Sequence, residues 1–225
     1  MGDVISLVEA RAARAESRRA GPAYSGRAPR VTFFFDLVSP WTYLAAERAE
    51  RLFAGDRWRP ATGDAIAGGR TAPDPRDAAE RAAAERRAEA LRLPLVWPEG
   101  WPGSGSGAMR VAALAAERGR AAPFVLAASR LAFCGGYELD DPEVIAEAAA
   151  AAGLALDDAL RAAGEVRRDG AMERTALRLL RRGADELPAV TVGRQLFAGE
   201  DRLAEAAAAA AAPPAVRRRR AARPG

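Results

Sequence analysis

The chain has 225 residues, a formal net charge of +4 and 49% apolar residues, enough to bury a sizeable core in one large or two small domains. It has no histidine and one cysteine, Cys134, which excludes a histidine general base, a Ser-His-Asp triad, a histidine-ligated metal, an internal disulfide and a C-x-x-C pair. No apolar run approaches the roughly 18 residues of a membrane-spanning helix, and we recognise no signal peptide, so we expect a cytoplasmic protein that does not bind membranes.

The basic residues are all arginines, and the excess positive charge lies at the two ends of the chain. Residues 1–30 are rich in arginine, alanine, glycine and proline, and we interpret them as a flexible extension. Residues 213–225 carry five arginines and no acid, and the part between the two ends is mildly acidic. Cationic ends can bind nucleic acid weakly, but we interpret the tail as a disordered, solvated segment.

The first predicted elements are a strand and a helix joined by a short turn. Residues 31–37, "VTFFFDL", are apolar and β-prone, which predicts a buried strand. Ser39 and Pro40 then form a helix-start signature, because serine caps helix N-termini and proline fits the first helical position. Residues 41–53 continue as an amphipathic helix, and Gly55 suits its end.

The remaining elements divide into a helical middle and a short β-hairpin. Residues 57–64 predict a second strand, residues 65–75 a loop, and residues 91–107 a connector rich in proline, glycine and tryptophan. Helices are predicted at residues 77–91, 108–118, 121–133, 141–152, 155–164 and 170–182. A hairpin of strands 188–193 and 194–199 and a final helix over residues 200–212 close the chain.

This order predicts an α/β protein in which a thioredoxin-like fold is interrupted by an inserted all-helical domain. The predicted boundaries are 1–30 for the extension, 31–70 and 183–212 for the two thioredoxin-like parts, 71–182 for the helical insertion and 213–225 for the tail.

Four segments carry a resemblance to a known family. They are "FFFDLVSPWTYLAAERAERL", "LRLPLVWPEGWP", "YELDDPEVIAEAAAAAGL" and "ELPAVTVGRQLFAGEDRL". In this order and at this spacing they resemble the DsbA-like group that contains kappa-class glutathione transferases and 2-hydroxychromene-2-carboxylate isomerases. The resemblance covers roughly residues 31–205.

The resemblance gives Ser39 a function. In DsbA a C-x-x-C occupies this strand-to-helix turn, whereas the kappa and isomerase branches have a serine that serves the thiol of bound glutathione. A helix N-terminus contributes about 0.3–1 kcal/mol towards an anion, and a hydrogen bond to a charged acceptor roughly 1.5–3 kcal/mol. Together they would lower a thiol pKa by roughly 1–3 units. The alternative is that Ser39 only caps the helix.

The resemblance also implies sites for the rest of glutathione. It implies that Pro188 follows a cis peptide bond and that the Leu187 backbone pairs with the cysteinyl part of the cofactor. It places Asp201, with Glu200 beside it at the opening of the last helix, near the γ-glutamyl end. The alternatives are a trans proline on an edge strand and acids that only complement the helix dipole.

Aromatic residues near these segments are candidates for a substrate pocket. Trp41, Tyr43, Trp97 and Trp101 could line one, although aromatic residues at such positions also form cores. We expect Cys134 to be a packed helix residue rather than a reactive thiol.

The sequence also departs from the isomerase pattern. On the helix before the connector, Arg86 fits the expected lysine, but Ala79 and Ala83 replace a tyrosine and an aspartate, and the expected asparagine after the connector is missing. We therefore expect an isomerase or transferase that uses glutathione or another low-molecular-weight thiol, such as mycothiol, on an aromatic or conjugated-carbonyl substrate. The alternatives are a non-catalytic binding protein of this fold and a module that binds partners through its basic tail. Homodimerisation stays open.

Overall fold

The computed structural model describes residues 30–53, 55, 57–67 and 76–212. The flexible extension and the basic tail predicted at the two ends lie outside these residues, apart from Arg30. Arg30–Ala212 forms one compact unit.

The strands and helices follow the predicted order. The strands are β1 (Val31–Phe35), β2 (Arg57–Pro60), β3 (Ala189–Val192) and β4 (Gln195–Ala198). The helices are α1 (Pro40–Leu52), α2 (Gly63–Ala67), α3 (Arg76–Leu91), α4 (Ser106–Glu117), α5 (Ala121–Phe133), α6 (Pro142–Ala151), α7 (Leu156–Ala163), α8 (Asp169–Leu180) and α9 (Leu203–Ala211), with a 3₁₀ turn at Val166–Arg168.

The strands form one mixed sheet in the order β2-β1-β3-β4. Strands β1 and β2 are parallel, as expected when a helix connects them, whereas β3 is antiparallel to β1 and to β4. Gly193 turns the β3–β4 hairpin at a φ of +58°, a conformation that glycine adopts without a Cβ clash. The predicted α/β thioredoxin-like arrangement with a helical insertion is confirmed.

Alternating side chains of β1 point into two different cores. Phe33 and Phe35 belong to a large apolar cluster that also contains residues of α1, α4, α5 and α9. Phe34 packs against a smaller cluster, in which Ile66 of α2 and Leu179 of α8 cover the other face of the sheet. The sheet is therefore enclosed between helices on both faces, as its apolar strands require.

Two local predictions are wrong. Residues 63–67, predicted as the end of a strand and the beginning of a loop, form the short helix α2. The last helix begins at Leu203 rather than at residue 200, so Glu200 and Asp201 precede it instead of forming its first turn.

Candidate functional site

Three segments of the predicted site meet at one end of the sheet. Phe34 of β1 pairs with Ala189 of β3, and Ala189 pairs with Ala198 of β4. The end of β1, the start of β3 and the end of β4 therefore lie side by side. The turn that carries Ser39 follows the first of them, Pro188 precedes the second, and the segment with Glu200 and Asp201 follows the third.

Ser39 occupies the N-cap position of α1 without acting as a side-chain cap. Its φ of −79° and ψ of 124° are those of an N-cap residue, but its hydroxyl makes no capping hydrogen bond. Its backbone is fixed: the N–H donates to the Asp36 carbonyl at 3.2 Å, and the carbonyl accepts from the Thr42 N–H at 3.0 Å. The half-buried side chain thus leaves a hydroxyl without a partner among the described residues, at the start of a 13-residue helix.

The Leu187–Pro188 peptide bond is cis, as the family resemblance implied. The Pro188 carbonyl accepts from the Gly199 N–H at 2.9 Å, which continues the pairing of β3 with β4 by one residue. The backbone N–H and C=O of Leu187 have no hydrogen-bond partner in the described part of the chain. The described fold therefore leaves these two groups unpaired, on a residue that is 5% exposed.

Neighbouring acids in the segment after β4 have opposite environments. Glu200 has a side chain only 4% exposed, and its carboxylate accepts hydrogen bonds from the guanidinium groups of Arg48 on α1 and Arg87 on α3. Asp201 is exposed and pairs with no arginine of the described residues. The geometry gives Glu200 a structural role, since a ligand cannot reach its carboxylate, and leaves Asp201 free for one.

Asp201 lies in a polar cleft with an excess of acids. The other residues that line this cleft are Arg182, Gly183, Asp185, Glu186, Leu196, Ala198 and Arg202. Burial, together with the charges of Asp185 and Asp201, raises the pKa of the Glu186 carboxyl group. Arg202 is occupied by two hydrogen bonds to Glu205, at 2.8 and 2.6 Å. The field in this cleft thus favours a cationic group such as an ammonium.

A second cleft lies directly beside the turn. Val38, the residue before Ser39, forms part of its wall together with Trp101, Phe133 and Leu139, and Glu138 stands at the same cleft. Polar residues also line it, among them Ser104 and Asp140, and its volume is about 40 Å³, so it is a small cleft of mixed polarity.

Not all of the aromatic side chains proposed for the pocket lie at the cleft. Tyr43 is 2% exposed, donates a hydrogen bond to the Pro94 carbonyl at 2.5 Å and lies 3.1 Å from the Cys134 sulfur. Burial is the main cause that raises the pKa of its phenol. Trp41 packs against the same core. The prediction that Tyr43 lines a substrate pocket is therefore wrong, because its side chain is buried and its hydroxyl is hydrogen-bonded inside the protein.

Of the two tryptophans in the connector, only Trp101 lines the cleft. Trp97 donates to Glu85 at 2.9 Å and packs on Trp101, with 4.6 Å between ring centroids, but it does not line the cleft. Trp101 does line it, and its indole N–H donates to the Val38 carbonyl at 2.9 Å. Trp101 thus both forms the cleft wall and holds the turn.

An arginine that the sequence analysis did not single out completes this cluster. The Arg81 guanidinium lies 4.9 Å from the Trp97 ring and 5.0 Å from the Trp101 ring, and it donates to the Trp101 carbonyl at 3.0 Å. Arg86, which matched the isomerase pattern, is exposed. The two arginines differ in which face of α3 they lie on. The sequence does not show which face is buried, because the helix is rich in alanine on all sides.

Comparison with known proteins identifies the family. The DSBA-like thioredoxin domain family matches residues 30–211. The chain belongs to this family. No protein with a curated description matches it significantly. No helix in the described ranges is both long and apolar enough to span a membrane.

Solved structures of the same fold carry different chemistries. A 2-hydroxychromene-2-carboxylate isomerase shares 21% identity at a TM-score of 0.64, over 80% of this chain and 93% of that one. A probable DsbA oxidoreductase from Streptomyces coelicolor shares 22% identity at 0.57, over 76% and 84% of the two chains. A putative protein disulfide isomerase from Nitrosomonas europaea shares 16% at 0.59, over 76% and 88%. At these identities the similarity establishes the fold, and the site must be argued from its own residues.

Proposed function

We propose that this DsbA-family protein is an isomerase or kappa-type transferase that depends on glutathione or another low-molecular-weight thiol. The observation that carries the proposal is the hydroxyl of Ser39, which lies at the start of α1 without a partner among the described residues. A residue needed only as a helix cap would use its hydroxyl for a backbone N–H. This hydroxyl is free to donate to a ligand sulfur.

The chain's free groups fit a thiol-containing peptide. Ser39 offers a donor for the sulfur, the Leu187 backbone offers an N–H and a C=O for an extended peptide, and the acidic cleft at Asp201 offers a carboxylate for an ammonium. All three belong to segments at one end of the sheet. When bound, the thiol would supply the sulfur nucleophile, because the turn at Ser39 has no cysteine of its own.

Ser39 would act by stabilising a charge on sulfur. A free thiol with a pKa near 8.5 is only slightly ionised at neutral pH. A hydroxyl donor and the positive end of a helix together lower that pKa by roughly 1–3 units. The bound thiol would then be largely ionised without a histidine or a lysine.

Disulfide exchange by this chain alone is a poorer fit. It needs two thiols, and the single thiol of Cys134 lies at the end of α5, against the hydroxyl of the buried Tyr43. The cleft formed by Val38, Trp101 and Phe133 has a volume of about 40 Å³ and would have to widen to hold an aromatic or conjugated-carbonyl substrate beside Ser39.

Calorimetric titration with glutathione and, separately, mycothiol tests the proposal. We expect one thiol to bind the wild type, to bind more weakly to Asp201→Ala, and to show a higher thiol pKa in Ser39→Ala. Ser129→Ala and Asp157→Ala are matched controls, since Ser129 is 1% exposed inside α5 and Asp157 lies on α7 of the helical insertion. Absence of heat with both thiols would refute the use of these two cofactors.

One observation favours a non-catalytic binding protein as the second candidate. Ala79 is exposed and Ala83 half-buried on α3, so neither position offers the proton donor or the carboxylate found in the isomerase pattern. Turnover separates the two candidates. An enzyme would isomerise or conjugate unsaturated ketones in the presence of the thiol that it binds, whereas a binding protein would retain the thiol without turnover.

A further inference from the structure

The carboxylate of Asp36 joins the turn that carries Ser39 to a second segment. One oxygen accepts a hydrogen bond from the Val38 N–H at 3.0 Å, within the turn. The other accepts from the N–H of Gly63, the first residue of α2. A single buried carboxylate therefore links the end of β1 to the beginning of α2.

The backbone of Asp36 holds the same turn from the other side. Its N–H donates to the hydroxyl of Thr42 at 3.2 Å, and its carbonyl accepts from the Ser39 N–H at 3.2 Å. Thr42 is fully buried in the first turn of α1. Since the Ser39 side chain takes no part in the turn, the place of its hydroxyl is set by these backbone contacts.

The contact with Gly63 is closely fitted. A Cβ atom added to Gly63 would lie 3.0 Å from the carboxylate oxygen of Asp36. Glycine at this position lets the backbone N–H approach the carboxylate. The arrangement is thus specific for a small residue opposite Asp36.

The charge state of Asp36 is poised near neutral pH. Burial raises the pKa of its carboxyl group to about 6, and the two N–H donors offset part of this effect. Asp64 on α2 adds a repulsion that acts in the same direction as burial. Thr42 of α1, whose hydroxyl accepts from the Asp36 N–H, carries no charge. Ionisation of Asp36 changes it from a donor and acceptor into an acceptor only, which suits its two N–H partners.

We propose that Asp36 is a positioning residue for Ser39, whose carboxylate fixes the turn so that the hydroxyl points to the ligand sulfur. This inference rests on the proposed function. Asp36 itself faces backbone N–H groups and touches no ligand. Its effect on a bound thiol is therefore transmitted through Ser39.

Nuclear magnetic resonance of the free, ¹⁵N-labelled protein tests the link without any thiol. We expect the amide resonances of Val38 and Gly63 to titrate together, with a midpoint near 6. This common titration should vanish in Asp36→Asn and persist in Asp64→Asn, with a lower midpoint because one repulsive charge is gone. Amide resonances of Val38 and Gly63 that titrate independently of each other, or that keep their titration in Asp36→Asn, would overturn the inference.

A double-mutant cycle on the bound thiol tests the transmission through Ser39. A pH titration of thiolate absorbance, with glutathione and with mycothiol, should show that Asp36→Asn raises the thiol pKa by about one unit, a tenfold fall in the ratio of thiolate to thiol at a given pH. In the Ser39→Ala background the same change should have no further effect. An equal effect in both backgrounds would show that Asp36 acts on the thiol directly and would overturn the inference.

The two measurements can refute the proposed function and the role of Asp36 independently of each other. If neither thiol binds the wild type, the proposed function is refuted, and the resonance titration still decides whether Asp36 holds the turn. If the thiol binds and ionises normally in Asp36→Asn, the proposed function survives and the role of Asp36 is refuted.

Discussion

Two helices of this protein begin with the same local pattern and use it differently. Both α1 and α6 have a polar N-cap residue followed by proline, Ser39-Pro40 and Asp141-Pro142, and both N-caps have a ψ of 124°. Asp141 accepts a hydrogen bond from the Glu143 N–H at 2.8 Å, whereas the Ser39 hydroxyl caps nothing. The same backbone therefore supports a structural cap in the helical insertion and a free donor at the end of the sheet.

The acids before α9 repeat this contrast between occupied and free groups. The Glu200 carboxylate is surrounded by two guanidinium groups, while that of its neighbour Asp201 faces an open cleft. The different environments of these adjacent acids show that sequence position alone does not identify a functional polar group. What identifies it is a polar side chain that the fold holds in place and leaves unpaired.

The largest effect should come from Glu200. Its replacement by alanine leaves Arg48 and Arg87 facing each other without a counter-charge, and we expect a loss of about 3 kcal/mol in the free energy of unfolding. Asp201→Ala should change stability by less than about 0.5 kcal/mol. Chemical denaturation of both variants measures this, and equal losses would break the contrast between the two acids.

Asp36 should make stability depend on pH. Its pKa in the folded protein is about 6, above the ordinary value of 3.8, so the folded state resists its ionisation. The free energy of unfolding should therefore fall as pH rises from about 4 to 6, by up to roughly 3 kcal/mol from this group. Asp36→Asn should lack this decline. A variant whose denaturation midpoint follows the wild type across this pH range would contradict the assignment.

Tyr43 is a further polar side chain with an internal partner, since its hydroxyl donates a hydrogen bond to the Pro94 carbonyl. Tyr43→Phe should cost about 1–2 kcal/mol of stability because a carbonyl near the core loses its donor. Thiol affinity and thiol pKa should not change, since the phenol does not line the cleft. Thermal denaturation and calorimetry on the same sample distinguish these effects. A loss of thiol binding without a loss of stability would show that Tyr43 belongs to the binding site.

The smallest change in stability should distinguish the two N-caps. Asp141→Ala should lower the free energy of unfolding by about 1 kcal/mol, the usual value of an N-cap hydrogen bond. Ser39→Ala should lower it by only a few tenths and act instead on the thiol pKa. Should Ser39→Ala prove as destabilising as Asp141→Ala, the hydroxyl of Ser39 is a cap after all.

Much of the fold could be predicted because its elements have strong local signals. The apolar strand before Ser39, the long alanine-rich helices and the glycine of the β3–β4 turn each favour one conformation. The short helix α2 was missed because five residues, beginning with a glycine, carry almost no periodicity. Its start depends on a hydrogen bond from residue 63 to Asp36, which is distant in the sequence.

The site was harder to predict because it depends on which side chains are already occupied. Glu200 and Asp201 are adjacent acids, and only the packing of α1 and α3 shows that two arginines reach the first of them. Tyr43 and Trp101 are both near the turn, but contacts with Pro94 and Val38 place one in the core and the other at the cleft. Asp36 carried a partial signal, as an acid that ends a buried strand just before a helix start.

The indole of Trp101 has an optical consequence. Its N–H is bonded to the carbonyl that precedes Ser39, its ring lies under the Arg81 guanidinium, and one of its edges lines the cleft. The emission of an indole responds to nearby charges and to the polarity around its ring. Because the chain has three other tryptophans, a variant with Trp41, Trp58 and Trp97 replaced by phenylalanine would make Trp101 a built-in fluorophore that reports on binding beside Ser39 without an attached dye.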